Sequence, residues 1–387
     1  MDLTGALPVV APRSVEEVAG ALAEARTTGR RLLVVGGRTH LDKGNPSAVD
    51  AALSVGALDQ LVDWHPEEML AVVGAGMRCG HLDQLLAGHG QEWPVDAPAQ
   101  ATVGGVIAAA ASSPRRLRVG PVRDSVLEVE LVSGAGRQIR AGGRTVKNVS
   151  GYDLCRLLTG SLGTLGVLTQ VALKLWPRPA ARRTLRIAGG ALDQEADRGE
   201  GVGVLFATAQ ALLATVPRPT ALLVTPAGIE LRLEGWPADL EEQTALAIQV
   251  AGGSANAEIH DQEPFPLARP WEAAPVVAEV AVAPSRLPAV VEAARDAGAL
   301  AWGALAGVGI CWVGLPAPEG GAGVAGGGGG ALAALRERVA ALGGIAPVVR
   351  GPGGLAAAAP APAVHRRLKQ AFDPDGILAP GRFWGAS

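Results

Sequence analysis

Glycine falls at every third position in Gly160-Ser-Leu-Gly163-Thr-Leu-Gly166, with Ser161 and Thr164 between. This spacing lets a backbone lie flat against a ligand, because no side chain blocks the approach and main-chain N–H groups are free to donate. A plain glycine-rich turn before a strand is the other reading of the same residues. Three further segments of the first 180 residues carry related chemistry. Gly36-Gly37-Arg38-Thr39-His40 follows a strand-like run and offers successive N–H donors, the makings of an anion nest. Thr102, Gly104 and Gly105 precede a run of small residues, where a backbone can press against a flat or extended ligand. Arg123 and Asp124 stand ahead of a strand-like run in Gly-Pro-Val-Arg-Asp. None of these is a standard nucleotide signature. Gly74-Ala-Gly-Met-Arg-Cys-Gly80 has its third glycine misplaced for G-x-G-x-x-G, the glycines after residue 35 lead into a loop, and no G-x-x-x-x-G-K-[ST] occurs.

Other catalytic inventories are thin. The six histidines are at 40, 65, 81, 89, 260 and 365, and His81 and His89 are too far apart on a short helix to share a face as ligands. No base–nucleophile pair stands out. Cys79, Cys155 and Cys311 form no CxxC pair, disulfide framework or iron–sulfur spacing, which suits buried thiols in a reducing cytoplasm. Arg115, Arg116, Arg118 and Arg123 read equally as contacts to phosphates or a partner's acids and as a solvated loop. Lys147 and Asn148 read as residues that order the Gly-Tyr-Asp loop rather than touch a ligand.

The elements that must position these groups follow from punctuation. Residues 14–29 read as a helix, with Ser14 as N-cap, Glu16 and Glu17 in the first turn and Gly29 as the stop. Residues 31–35 read as a buried strand, 36–46 as a loop, 58–64 and 69–73 as short strands and 80–88 as a helix. Leu154–Leu158 is a short helical patch, and the branched run after Gly166 is a strand closed by Trp176-Pro177. Beyond Pro179 the texture changes. A hairpin over 220–235, a helix from 238, a strand over 275–283, a helix from 285, two strands within 299–315, a helix over 331–344 and a last strand over 345–350 suit an antiparallel sheet with helices on one face. The glycine-rich run 319–330 reads as a surface loop, and no repeat of 20 to 50 residues is visible.

At 387 residues the chain can bury a large core and should form two domains or more. A net charge of −3 without a basic stripe excludes nucleic acid as a partner. Residues 297–318 carry no charge, but five glycines and closing prolines make them a pair of buried strands rather than a membrane span. The first residues show neither a basic region nor a long apolar core, so no signal peptide is expected.

Taken in order, the GG loop, Ala-Thr-Val-Gly-Gly, Gly-Pro-Val-Arg-Asp and Gly151-Tyr-Asp-Leu-Cys-Arg-Leu-Leu-Thr-Gly-Ser-Leu-Gly-Thr-Leu-Gly-Val resemble the p-cresol methylhydroxylase-type FAD-binding domain of the vanillyl-alcohol oxidase superfamily. Residues 368–383 are similar to the tail that this family folds back on its flavin domain. Residues 112–124 and 145–168 look most like the FAD-binding subunits of bacterial glycolate oxidases. The likeness covers residues 8–180 and the tail; the middle domain matches in layout only. It implies an α+β chain: a two-subdomain FAD-binding domain over 1–180, an antiparallel-sheet cap domain over 181–360 with helices on one face, and a returning tail over 361–387.

It also implies roles. Gly36, Gly37, Arg38 and Thr39 would cradle the FAD pyrophosphate, with His40 beside them. Thr102, Gly104 and Gly105 would lie along the pyrophosphate and ribityl chain. Arg123 and Asp124 would shape the adenine-side wall or order that loop, and Gly163, Thr164, Leu165, Gly166 and Val167 would meet the adenosine half and the dimethylbenzene region through backbone groups. Leu162 stands where many relatives have an acid, as in the glycolate oxidase group. His40 lies two residues past the position used for covalent attachment, so non-covalent FAD is expected. An HGDGNLH-like cap segment is missing, and only His260 falls in the cap, so no metal site is expected and no catalytic residue is assigned. The implied setting is cytoplasmic, or peripheral to the inner membrane face through partners. Those partners would be a paralogous FAD subunit, an iron–sulfur subunit and a small 2-hydroxy acid, glycolate or D-lactate. The alternatives are a stand-alone FAD oxidoreductase with Arg350, Arg382 and Trp271 near its substrate, or a non-catalytic flavin subunit; a structural partner that has lost FAD is a third.

Overall fold

The computed structural model describes residues 7–145, 151–188, 200–318, 330–355 and 361–383. The chain divides into two units. Unit 1 takes Met1–Ser113, Pro121–Arg178 and Ala357–Ser387; unit 2 takes Pro114–Gly120 and Pro179–Ala356. Lys147 and Asn148, and residues 319–329 of the glycine-rich run, lie outside the described residues.

Unit 1 begins with a three-stranded parallel sheet, β1 (Val9–Val10), β2 (Leu32–Val35) and β3 (Ala51–Ser54), in the order β1-β3-β2. The helix Val15–Thr28 has its anticipated caps. Ser14 Oγ accepts from the Glu17 amide, Glu16 and Glu17 complement the positive helix start, and Gly29 turns left-handed at φ 68° to end it. It buries Val18, Leu22 and Ala25 against Leu32, Leu53 and Leu378, the last from the chain's tail.

A five-stranded antiparallel sheet follows. Its members are β4 (Leu61–His65), β5 (Leu70–Gly74), β7 (Val126–Ser133), β8 (Gln138–Gly142) and β9 (Gly166–Lys174), in the order β4-β5-β9-β7-β8. Two-residue strands β6 (Gln91–Glu92) and β10 (Trp176–Pro177) pair alongside. The first expected strand loses residues 58–60, because Leu58 closes a turn on Val55 before β4 begins. Short helices span Cys79–Ala87, Val103–Ala108 and Leu154–Leu158. The second arises where the sequence suggested only a run of small residues; the Thr102 hydroxyl caps it by accepting from the Gly105 amide at 3.2 Å.

Unit 2 holds one eight-stranded sheet. Its strands are β11 (Ala181–Ala188), β12 (Ala221–Thr225), β13 (Gly228–Gly235), β14 (Ala257–Asp261), β15 (Val276–Ala281), β16 (Ala301–Leu305), β17 (Ile310–Leu315) and β18 (Val348–Arg350). The order is β14-β11-β13-β12-β16-β17-β15-β18. With helices Glu200–Thr215, Pro237–Val250, Leu287–Asp296 and Ala331–Ala341, each half reads strand–helix–strand–strand–helix–strand. Each half also has the same internal order, fourth-first-third-second, and the two join antiparallel through β12 and β16. The structure thus contains a duplication longer than the 20–50-residue window searched in the sequence.

Leu185, Ile187, Leu231 and Leu233 from the first half, and Val276, Val280, Cys311 and Val313 from the second, alternate onto one face. There they meet Phe206, Leu212, Leu240, Val290 and Leu335 from all four helices. The uncharged stretch makes β16 and β17, joined by left-handed Gly307 and Gly309. No helix among the described residues is long and apolar enough to cross a membrane.

Candidate functional site

A cavity in unit 1 opens where β2 ends. It encloses about 710 Å³ of space free of protein atoms, part of it open to solvent. Its walls come from Gly36–Leu41, from Gly104, Gly105, Ala108 and Ala109, from Ser161–Gly163 and Gly166, and from Arg382. The chain turns left-handed at Arg38, φ 58°. Among the described residues, the amides of Gly36, Gly37, Arg38 and Thr39 donate to no protein acceptor. Four successive uncommitted N–H groups beside a cavity suit an anionic ligand such as a pyrophosphate.

Gly36 and Gly37 have a packing role as well. A Cβ on Gly36 would stand 2.0 Å from Thr102 Oγ1, and one on Gly37 2.1 Å from the Gln100 carbonyl. Their bareness lets two protein loops close on each other, and that contact shapes the wall. The turn at 160–166 is held from the front by Gly160 N–H to Ile107 O (3.0 Å) and Leu162 N–H to Ala108 O (2.8 Å). It carries two consecutive left-handed residues, Leu162 at φ 54° and Gly163 at φ 72°.

Of the residues singled out in the sequence, Gly36, Gly37, Arg38, Thr39, His40, Gly104, Gly105, Gly163 and Gly166 line this cavity. The rest lie outside its lining, for identifiable reasons. Thr102 is buried and its hydroxyl is committed to the helix cap. Thr164 donates its hydroxyl to Ser161 O, closing the turn from within. Leu165 packs into the core that also holds Leu158 and Leu168, and Val167 points to the core under the helix Val15–Thr28. Arg123 and Asp124 are exposed and pair with each other, and Asp124 also pairs with Arg156.

Ser161 and Leu162, both noted in the sequence within the glycine-spaced turn, also line it, and the aliphatic Val34, Val35 and Ala75 join them without a sequence signal of their own. Arg382, weighed in the sequence as a residue near substrate, belongs to this wall. Its Nη2 donates to Leu41 O (2.7 Å) and Lys43 O (2.8 Å). Burial lowers its pKa, with Asp42 pulling the other way.

The tail ties this site together. Its residues 377–379 bridge β2 through Leu32 N–H to Ile377 O (2.7 Å) and Ala379 N–H to Leu32 O (2.9 Å). From the helix Pro362–Phe372, Lys369 Nζ donates to Thr164 O (2.8 Å), Leu378 O (2.7 Å) and Asp373 Oδ2 (2.6 Å). Burial lowers the Lys369 pKa, opposed by the Asp373 carboxylate.

Unit 2 has a chemistry of its own on the sheet face away from its helices. Glu258 and His260 on β14, Thr184 and Arg186 on β11, and Glu230, Arg232 and Glu234 on β13 form a polar grid. Arg232 donates to Thr184 Oγ1 (2.9 Å) and Glu263 O (3.0 Å) and pairs with Glu234 at 3.3 Å. Arg115 and Arg182 also reach Glu234, at 3.5 and 3.4 Å, and Arg118 donates to its carbonyl. The segment 115–118 is therefore an ion-pairing arm of unit 2 rather than a solvated loop.

His260 lies 3.6 Å from both Glu258 and Glu263. Trp271 stacks on Trp312 at 5.5 Å and covers Gly303 and Gly314, so it is core. Arg350 donates to the Glu272 carbonyl at the turn carrying Trp271. Among the described residues, no cluster of His, Cys, Asp or Glu could hold a metal ion.

Residues 6–142 match the FAD binding domain family, and residues 357–383 the C-terminal domain of FAD linked oxidases. Apart from Pro114–Gly120, both matched segments lie in unit 1, and the two families indicate FAD as the cofactor. The chain is 37% identical over 158 residues to the glycolate oxidase subunit GlcE of Escherichia coli (strain K12), covering 40% of this chain and 45% of that one. It is 38% identical over 172 residues to the D-lactate dehydrogenase of Archaeoglobus fulgidus, covering 44% and 39%. The matches therefore span less than half the length of these relatives. An alkyldihydroxyacetonephosphate synthase structure shares the fold, with a TM-score of 0.64 at 14% identity over 96% of this chain and 75% of that one.

Proposed function

We propose that this chain is the FAD-binding subunit of a glycolate oxidase-type complex that oxidises a 2-hydroxy acid, glycolate or D-lactate, to the 2-oxo acid. The observation that carries the reading is the cavity lined both by Gly36–Thr39, whose amides donate to no protein acceptor among the described residues, and by Ser161–Gly163 and Gly166. When bound, FAD supplies the two-electron acceptor. The chain's own residues hold it: the 36–39 amides take the pyrophosphate, Gly104 and Gly105 allow close passage of the extended chain, and Arg382 keeps the 41–43 loop in place. Backbone donors and small residues suit non-covalent binding.

The cap offers a single histidine, held between two glutamates, and no metal cluster among its described residues. In this reading a paralogous flavin subunit oxidises the substrate and an iron–sulfur subunit carries the electrons onward. The relatives named as glycolate oxidase subunits favour that setting.

The test is an absorbance spectrum from about 350 to 500 nm before and after acid precipitation, where flavin chemistry is visible directly. A yellow supernatant is expected. A colourless protein that stays colourless with excess FAD would end the reading. Anaerobic glycolate or D-lactate should leave the flavin of the lone chain oxidised and bleach it once the paralogous subunit is added. Rapid bleaching of the lone chain would instead establish a stand-alone oxidoreductase.

A further inference from the structure

We infer that Lys369 is a positioning residue for FAD: from behind the cavity it fixes the Gly160–Gly166 turn, through the Thr164 carbonyl, in the conformation that presents Gly163 to the cofactor. The inference rests on the FAD assignment of unit 1. Lys369 does not line the cavity, and its ammonium group spends all three N–H donors on Thr164 O, Leu378 O and Asp373 Oδ2. It thus links residues 205 apart in sequence, one on a wall of the cavity and one on the returning tail.

The turn needs such a hold. A leucine with positive φ is intrinsically disfavoured and persists only where its surroundings over-determine it. Two amide bonds to the helix Val103–Ala108 region restrain the turn in front. Within the turn, the amide and hydroxyl of Thr164 both go to Ser161 O, so the buried Thr164 carbonyl is the handle left for a partner behind. Lys369 takes that handle.

The ammonium is itself fixed. Asp373, whose side chain is fully buried, also accepts the amides of Ile377 (3.1 Å) and Leu378 (2.8 Å), so its carboxylate cannot swing away. The tail has independent anchors at Leu32 and at the Arg26–Asp375 ion pair (2.6 Å), neither of which touches the turn. Loss of Lys369 therefore frees the turn along with its own two partners in the tail, while loss of Arg26 loosens the tail without freeing Thr164.

The test compares wild type, Lys369→Met and Arg26→Met in the full chain. FAD affinity is read by flavin fluorescence, together with the visible band shape and the reduction potential of the bound flavin. Lys369→Met should bind FAD at least tenfold more weakly, with altered bands and potential, and Arg26→Met within twofold of wild type. Lys369→Met within twofold, with unchanged bands and potential, would overturn the inference; so would an equal loss in Arg26→Met. Failure of the wild type to bind FAD would strike the site assignment instead. Should Lys369→Met not fold, hydrogen exchange on the wild type decides. FAD should protect residues 160–166 and 369–379 together, and a protected turn beside an unchanged tail would refute the link.

Discussion

Replacing Gly36 by alanine tests whether the glycine loop is bare for the sake of Thr102. The new Cβ would sit 2.0 Å from Thr102 Oγ1, and contacts under 3.0 Å are essentially never seen, so at least 1.0 Å must be opened. Gly36 does not have a left-handed φ, so packing alone sets the cost. Overpacking of this kind typically costs about 1–3 kcal/mol. The cheapest relief rotates Thr102 away and breaks its cap on Gly105, itself worth about 1 kcal/mol. Thr102→Ala alone should cost that cap and little else.

In the double variant the colliding hydroxyl is gone, and the nearest remaining atom, the Cβ of residue 102, stands at 3.2 Å, a contact relieved by a few tenths of an ångström. The pair should therefore cost about 1–2 kcal/mol less than the sum of the singles, a coupling well above the ~0.5 kcal/mol expected of independent sites. Urea midpoints and slopes for the four proteins, measured without added FAD, give the cycle. Additive losses would show that the close approach of residues 36 and 102 does not govern this loop.

Three further outcomes follow from the same coordinates. Glu234→Leu removes the carboxylate shared by Arg115, Arg182 and Arg232 and should destabilise unit 2 by roughly 3–5 kcal/mol in chemical denaturation; Arg232→Met, which leaves Glu234 two cations, should cost less, and the reverse ranking would be fatal to this account. Burial pushes the thiols of Cys79 and Cys311 up to about 12 and that of Cys155 to about 11, so a thiol reagent at pH 8 should label none of them in the folded chain and all three after unfolding; prompt labelling of one would contradict their burial. Arg31 holds the Asp50 carboxyl down to about 2 from 3.8, so this pair stabilises above pH 3.8 and loses its contribution as pH falls through 2; Asp50→Asn should narrow the gap in Tm between pH 6 and pH 2, and an unchanged gap would argue against the pair.

Much of the fold could be read from punctuation. Ser14, Gly29 and the acids between them fixed the first helix, and Pro226-Ala227-Gly228 marked the β12–β13 hairpin. Three elements of unit 2 escaped, and with them the duplication. The alternating Arg-Thr-Arg face of β11 reads as polar chain unless Leu185 and Ile187 are seen on its reverse. Helix Glu200–Thr215 contains internal glycines and is apolar nearly all round, so it shows no stripe. β14 is a short polar edge strand.

At the cavity, motif and contact parted for a geometric reason. Side chains alternate across a strand and turn inward in a tight bend, so a contiguous Gly163-Thr-Leu-Gly-Val cannot turn every side chain to one space, whatever its backbone groups meet. Gly163 and Gly166 reach the space, Thr164 closes the bend, and Leu165 and Val167 face two different cores. Lys369 was invisible in the sequence, because nothing local shows that it meets a carbonyl 205 positions earlier.

The tail's contacts also order events in time. Asn45 and Ser47 bond carbonyls at 381 and 380, more than 330 positions later, and β2 waits for residues 377–379 to pair along its side. On the ribosome, the opening segments emerge long before the residues that clasp them, so the nest at 36–39 has no finished outline while unit 2 is being synthesised. A chain cut short before residue 369 would lack the groups that bond Leu32, Thr164, Asn45 and Ser47 from the tail.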